Sequence, residues 1–174
     1  MKRRLMWLTA IGAVVALAYA QSSVIVRGAY GFGLASSTNA ERPDAQFNFS
    51  VRQVEFNGQT RTSGFFAIET RSPNEVVHIH IPEVRRISVD MENKHALFSG
   101  PAVAVRRTRT GIERARGAAV VNVHDRRRPS EAVGSPDTIA VAFFTNPDSE
   151  EPTYTYRGAV RRGDIVVFEG TRSR

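Results

Sequence analysis

Three arginine clusters of this 174-residue sequence fall at the ends of predicted strands. Guanidinium groups bind phosphate and carboxylate through paired hydrogen bonds, so arginines gathered on one surface can hold an anionic polymer. Aromatic residues are not interleaved with these arginines, as base stacking would require, so nucleic acid is not the expected ligand. The plainer interpretation is a solvated rim that prevents strand edges from aggregating. The clusters are Arg106-Arg107, Arg126-Arg127-Arg128 and Arg161-Arg162.

Two histidines, His78 and His80, alternate with apolar residues and therefore point to one face of a predicted strand. This spacing occurs in some zinc sites, which need at least a third protein ligand. The remaining histidines, His95 and His124, could supply that ligand, but no spacing in the sequence requires them to converge. We therefore treat His78 and His80 as weak binding candidates on a solvent-facing strand, and we predict no metal or other cofactor.

Two aspartates, Asp125 and Asp137, flank the segment that contains the second arginine cluster. Paired carboxylates can act as acid and base or bind calcium. The neighbouring arginines would neutralise them, so a structural role is favoured, in which Asp125 ends one strand in an Asx-type turn and Asp137 begins the next. The sequence also lacks Gly-x-Ser-x-Gly, and no serine or threonine stands near a histidine in a known catalytic pattern. We predict that the protein is not an enzyme.

The first twenty residues have the three parts of an export signal. Lys2-Arg3-Arg4 is a positive n-region, Leu5 to Leu17 is almost entirely apolar, and Ala18-Tyr19-Ala20 is a cleavage site. The alternative is an uncleaved membrane anchor, but the apolar run is about thirteen residues and a bilayer requires about twenty. We predict a signal peptide at residues 1–20, a secreted or periplasmic protein, and no transmembrane span after cleavage.

The remaining residues, 21–174, have the length of one domain with an adequate core. The whole chain has a formal net charge of +7. The signal segment holds three basic residues and no acid, so the remainder carries about +4. Cysteine is absent, which excludes both a disulfide framework and a lipid-anchor cysteine. An exported domain of this size can fold without disulfides.

The apolar pattern of residues 21–174 is typical of an all-β protein. Its most apolar stretch, Asp137 to Thr145, is short, rich in β-branched residues and bounded by turn signals, as in a buried strand. Asn57-Gly58 is a hairpin signal. A bulge is expected near Arg52-Gln53, where the alternation changes phase, and a turn at Arg161-Arg162-Gly163 separates the last two strands. We predict about eight to ten short strands in a single antiparallel β-barrel or β-sandwich.

The C-terminal half carries a distinctive series of strand and turn residues: Val121-x-Val123-x-Asp125, Asp137-Thr-Ile-Ala-Val141 and Tyr154-x-Tyr156-x-Gly158-x-Val160-x-x-Gly163-x-Ile165-x-Val167. This series resembles a small all-β domain of exported bacterial proteins, the post-COAP-like domain. Phe47-x-Phe49-x-Val51 and Ala96-x-Phe98-x-Gly100 fit the same pattern, so the resemblance covers most of the chain after the signal. It departs after Asp125, where arginines stand in place of smaller, glycine-rich residues. The resemblance implies an all-β fold and no established activity.

These observations predict an exported, non-enzymatic β domain that acts as a binding or cell-envelope accessory module. Its partner would be an anionic envelope polymer or another exported protein. One alternative is a small barrel that carries an apolar ligand in its interior. A less favoured alternative is a hydrolase that uses Asp125 and Asp137 or His78 and His80, which would require a deep cleft joining them.

Turn counting places two of the arginine clusters at the same end of the fold. In an up-and-down antiparallel arrangement, successive turns alternate between the two ends. The turns near residues 125–136 and at Gly163 then lie at one end, and the turn at Gly111 lies at the other. We therefore expect Arg126 to Arg128 to share an end with Arg161-Arg162, and Arg106-Arg107 to lie opposite.

The export signal leads to the first testable prediction. The exported protein should begin at Gln21, because the small residues Ala18 and Ala20 meet the requirement of signal peptidase. In a fraction of the molecules, this N-terminal glutamine should be cyclised to pyroglutamate. N-terminal sequencing of the secreted or periplasmic material measures this directly. Recovery of the full-length chain in the cytoplasm would contradict it.

Overall fold

The structure, a computed structural model, describes residues 23–37, 40–126 and 135–173. The regular elements of these residues are all β-strands, so the predicted all-β class is confirmed. The predicted signal peptide at residues 1–20 and two of the candidate arginines, Arg127 and Arg128, lie outside the described residues. In chain order the strands are β1 (Ser23–Ser37), β2 (Ala45–Phe56), β3 (Gln59–Arg71), β4 (Glu75–Ile81), β5 (Arg86–Asp90), β6 (His95–Thr108), β7 (Ile112–His124), β8 (Thr138–Phe144) and β9 (Tyr154–Ser173).

The nine strands form one antiparallel sheet that closes on itself into a barrel-like ring. Their order is β4-β3-β2-β1-β9-β8-β7-β6-β5, and β4 also pairs with β6, which closes the ring. Along one edge of β6, β5 pairs with residues 95–99 and β4 with residues 103–108. Pro101 lies in the gap between these two partners, where a missing backbone donor is tolerated.

The interior of the ring is filled by alternate side chains of the strands. The stretch that the sequence marks as most apolar is β8, and its Ile139, Val141 and Phe143 are buried as the alternation predicts. Phe49 lies with its ring centroid 5.4 Å from that of Phe98 and 6.3 Å from that of Phe66. Aromatic pairs at such distances stabilise a core by about 0.5–1.5 kcal/mol beyond the area that they bury.

The last strand differs from the sequence prediction. β9 is continuous, so the predicted turn at Arg161-Arg162-Gly163 is wrong. Gly163 has a φ of 101° and lies opposite Gly33 in β1, and a Cβ added to Gly163 would lie 2.1 Å from the carbonyl oxygen of Phe32. The glycine therefore allows two strands to approach closely beside a register shift between Leu34 and Ala35, instead of reversing the chain.

The predicted bulge near Arg52-Gln53 is also wrong. β2 keeps an uninterrupted register with both β1 and β3 through this segment. The alternation of buried and exposed residues fades towards the hairpin end, where Val54 is half-buried and the side chain of Phe56 is 44 % exposed. The hairpin signal itself is confirmed, since Asn57 and Gly58 have φ angles of 50° and 73° in the turn between β2 and β3.

The close contact at Gly163 leads to a stability prediction. Gly163→Ala should lower the free energy of unfolding by roughly 1–3 kcal/mol from backbone strain alone, with the contact to the Phe32 carbonyl adding to that loss. The matched control is Gly170→Ala in the same strand, where an added Cβ meets no atom within 4 Å. The control should change stability by less than about 0.5 kcal/mol. Urea denaturation of both variants measures the difference, and equal losses would contradict this account of β9.

Candidate functional site

A polar groove of about 520 Å³ lies on the outer wall of the ring. The strands that build it are β7, β8, β9 and the end of β1. Three arginines line it, together with other polar side chains, and its described lining contains no aspartate or glutamate. We call this concavity the arginine groove; its polar lining includes Arg126, Arg157, Arg161, His124, Asn122 and Ser36.

Small residues form the floor of the arginine groove because of how four strands are aligned. Ser36 lies opposite Ala159, Ala159 opposite Thr138, and Thr138 opposite His124. Residues directly opposite each other in neighbouring antiparallel strands point to the same face. Since Ala159 and its neighbour Ala140 are short, the larger side chains around them leave a concavity between them.

The structure brings together two of the arginines that the sequence singled out. Arg126 follows β7 and Arg161 lies in β9, and both line the groove. Arg162 is exposed but is not part of the groove lining. Arg106 lies near the far end of β6, where its guanidinium pairs with Glu75 at 2.5 Å and with Glu113 at 3.9 Å.

Sequence reasoning missed Arg157, the third arginine of the groove. It lies within β9 between Tyr156 and Gly158 and is not part of a cluster. A signal for it did exist, because Arg157 and Arg161 are four residues apart and a continuous strand places such residues on one face. The false turn predicted at Arg161-Arg162-Gly163 concealed this relation.

Ser36 contributes a hydroxyl without a described partner to the arginine groove. The residue is 2 % exposed, and its Oγ has no hydrogen-bond partner among the described residues. The neighbouring Ser37 differs, because its Oγ donates to Asp44 Oδ2 at 2.5 Å. Buried polar groups are normally satisfied, so an unsatisfied one at a groove marks a position where a ligand acceptor would be favourable.

Two histidines form a stacked pair beside the arginine groove. The ring centroids of His95 and His124 are 4.4 Å apart, and His95 Nε2 donates to Asn122 Oδ1 at 3.1 Å. Burial lowers the pKa of His124, and the nearby His95 and Arg126 lower it further. His124 is therefore mainly neutral at pH 7.

The candidate histidines His78 and His80 lie elsewhere. Both are exposed on the outer face of β4, with ring centroids 6.5 Å apart. In the described parts of the chain, no group of three histidine, cysteine, aspartate or glutamate residues is arranged to hold a metal ion. The possible third ligands, His95 and His124, stack on each other at the opposite end of β6.

The two aspartates that flank the arginine segment have a structural role, as the sequence favours, but through long-range contacts. β8 pairs with β9 only as far as Ala159, so the later part of β9 has an edge without that neighbour. Asp137 is fully buried, and its Oδ2 accepts the Ile165 N–H at 3.1 Å. Asp125 Oδ2 accepts the Val167 N–H at 3.2 Å, so its carboxylate bonds to β9 instead of closing the predicted Asx-type turn.

A third carboxyl group, that of Asp164, joins these two. Burial raises the pKa of Asp164, and the charge of Asp137 and a hydrogen bond with its side chain raise it further. Burial also raises the pKa of Asp125, where the charge of Asp137 acts in the same direction and the Val167 N–H acts against it. The three carboxyl groups therefore repel one another when all are ionised.

The chain matches no family model, no curated protein and no solved structure. Its similarity to the post-COAP-like domain therefore stays a prediction from the strand and turn residues. Within the described residues, no helix has the length and apolar character that crossing a membrane requires.

The carboxyl cluster leads to a prediction of pH dependence. A raised pKa in the folded state means that Asp164 contributes stability below its unfolded pKa and loses that contribution as the pH rises through its folded pKa. Asp164→Asn removes the repulsion, so it should melt at a higher temperature than the wild type at pH 7, and the difference should disappear in acid.

Thermal melts between pH 3 and pH 8 measure this effect. Asp148→Asn is the control, because it removes the same charge from an exposed turn between β8 and β9. An unchanged or lower melting temperature of Asp164→Asn at pH 7, relative to the wild type, would show that the cluster does not destabilise the folded protein.

Proposed function

We propose that this protein is an exported, non-enzymatic binding domain of the cell envelope whose arginine groove holds an anionic group of an acidic polymer. The observation that carries the proposal is the convergence of Arg126, Arg157 and Arg161 around one concavity whose described lining has no carboxylate. The unsatisfied hydroxyl of Ser36 adds a neutral donor. Export is the part of the proposal that rests on the sequence of residues 1–20.

The exposure of the groove determines the kind of binding expected. All three guanidiniums belong to exposed residues, so their attraction for an anion is screened by salt over about 8 Å at physiological ionic strength. A single anionic group would therefore bind weakly. A polymer with many such groups presents a high local concentration of them, and this compensates for the weak individual contacts.

The positions of the candidate catalytic groups support a non-enzymatic role. The carboxylate oxygens of Asp137 accept backbone N–H groups from Arg126 and Ile165, and Asp125 accepts one from Val167. Carboxylates engaged in this way stabilise strand ends and are poorly placed to transfer protons to a substrate. His78 and His80 lie on another wall of the ring and do not share a cleft with these aspartates.

An apolar ligand is a second candidate, favoured by one specific observation. A cleft of about 280 Å³ opens near the far end of β6, lined by inward-facing apolar residues and bordered by polar ones, namely Arg106, Glu75, Glu113 and Thr153. Since large side chains fill the rest of the described core, an apolar ligand would occupy this mouth and not the centre of the ring. Its apolar lining is formed by Val77, Ala104, Ala115, Phe143 and Tyr154. Ala104→Phe would block the cleft and abolish enhancement of the fluorescence of an apolar dye, if such a ligand binds there.

Retention on a heparin column and on an anionic glycan column tests the proposed function. Replacing the three groove arginines, Arg126, Arg157 and Arg161, by serine should lower the salt concentration at which the protein elutes, because the anion loses its bidentate partners. The matched control is Arg109/Arg114/Arg116→Ser, which removes three charges from exposed positions around the turn between β6 and β7.

The control variant should elute close to the wild type at both low and physiological salt. Equal elution of all three proteins would show that the arginines are only a solvated rim. Equal early elution of both variants would show that net charge, and not the groove, causes retention.

A further inference from the structure

The arginine groove has more positive charge than a singly charged anion would balance. Three guanidiniums line it, and the described lining carries no aspartate or glutamate. A carboxylate or a sulfate ester brings one negative charge, whereas a phosphate monoester brings about 1.5 to 2 at pH 7 and three strong acceptor oxygens. The donors at the groove are also numerous, since Ser36 and Thr138 add hydroxyl groups to the arginines. A phosphate monoester matches the charge better than either of the other two anions, and it matches the number of donors better than a carboxylate does.

His124 links this charge balance to pH. The groups that face it or its stacked partner come from several elements: His95 of β6, Asn122 of β7, Arg126 after β7, and Arg157 and Arg161 across the groove from β9. One carboxylate, that of Asp90 in β5, interacts with His95. The surroundings of His124 itself are therefore cationic, and they keep its ring neutral until an anion arrives.

We propose that the anionic group held by the arginine groove is a phosphate monoester, and that His124 takes up a proton when this group binds. The inference rests on the proposed function of the groove and names its ligand class. A doubly charged phosphoryl group within the groove offsets most of the charge of the three arginines, so the electrostatic potential at the imidazole becomes less positive and the pKa of His124 rises.

The choice of anion is tested with two small probes of nearly the same shape. Phenyl phosphate carries close to two negative charges at pH 7, and phenyl sulfate carries one. Calorimetric titration of the full mature protein with each probe therefore shows how affinity depends on charge at nearly constant size. Phenyl phosphate should bind about fivefold tighter or more, the effect of one additional charge near a single guanidinium in water. Equal affinities, or tighter binding of phenyl sulfate, would overturn the inference.

The proton is followed at His124 itself. The chain has only 4 histidines, so their ring signals can be assigned in NMR spectra by single replacements. The pKa of His124 should rise when phenyl phosphate is bound, and each unit of that rise corresponds to about a tenfold gain in affinity at low pH. A pKa of His124 that stays constant on binding would overturn the coupling even if the His124 variant failed to fold.

Variants separate this inference from the proposed function. His124→Gln should abolish the increase in phenyl phosphate affinity between pH 8 and pH 6.5, while the control His80→Gln, on another wall of the ring, should keep it. If the groove arginines control heparin retention but the protein binds phenyl phosphate no more tightly than phenyl sulfate, only the phosphate inference fails. If heparin retention is also independent of the groove arginines, the proposed function fails with it.

Vesicles that contain phosphatidic acid identify the source of the phosphoryl group. Co-sedimentation that phenyl phosphate inhibits would support recognition of a lipid headgroup. Binding of phenyl phosphate without co-sedimentation would support a phosphorylated polymer or soluble ester. Both results agree with phosphate monoester recognition, whereas co-sedimentation that phenyl phosphate does not inhibit would contradict it.

Discussion

The later part of β9 has backbone donors that β8 does not reach, and two aspartates supply their acceptors. Asp137 binds the Ile165 N–H and Asp125 binds the Val167 N–H. A buried amide without a partner costs about 1–3 kcal/mol, so these contacts decide whether β9 can extend past β8 at all. Because β9 pairs with β1 along most of its length, the two carboxylates stabilise the part of the wall in which β8 no longer pairs with β9.

The same contacts position the arginine groove. One oxygen of the Asp137 carboxylate accepts the backbone N–H of Arg126. The backbone carbonyl oxygen of Asp137 accepts the N–H of Val160, the residue before Arg161. Asp137 thus connects the backbone at two of the three groove arginines, although it does not line the groove itself. Asp137 accepts hydrogen bonds from backbone N–H groups on the buried side of the wall, and these contacts help to fix the positions from which Arg126 and Arg161 extend on the outer side. A stability role and a binding role are in this way linked through one residue.

Much of the fold could be predicted because it depends on local patterns. Two-residue alternation identifies the buried face of β8, and Asn57-Gly58 identifies the hairpin between β2 and β3 from the φ angles that such a turn requires. Gly163 could not be interpreted locally, since a glycine that reverses the chain and one that lets two strands approach look the same in sequence. The site is harder to predict: turn counting places Arg126 and Arg161 at one end of the fold through a turn that does not exist, and the position of Arg157 depends on the continuity of β9.

Opposite charges close together in this region would be expected to neutralise one another, but the pleat of the strands separates them. Successive residues of a strand point to opposite faces, so buried Asp137 precedes outward-facing Thr138, and the carboxylate of Asp125 turns to β9 while His124 lines the groove. The carboxylates are held by backbone amides on the buried side, where desolvation favours hydrogen bonding. The guanidiniums remain on the outer side without carboxylates in the described lining, and this segregation is what leaves their charge available to an anion.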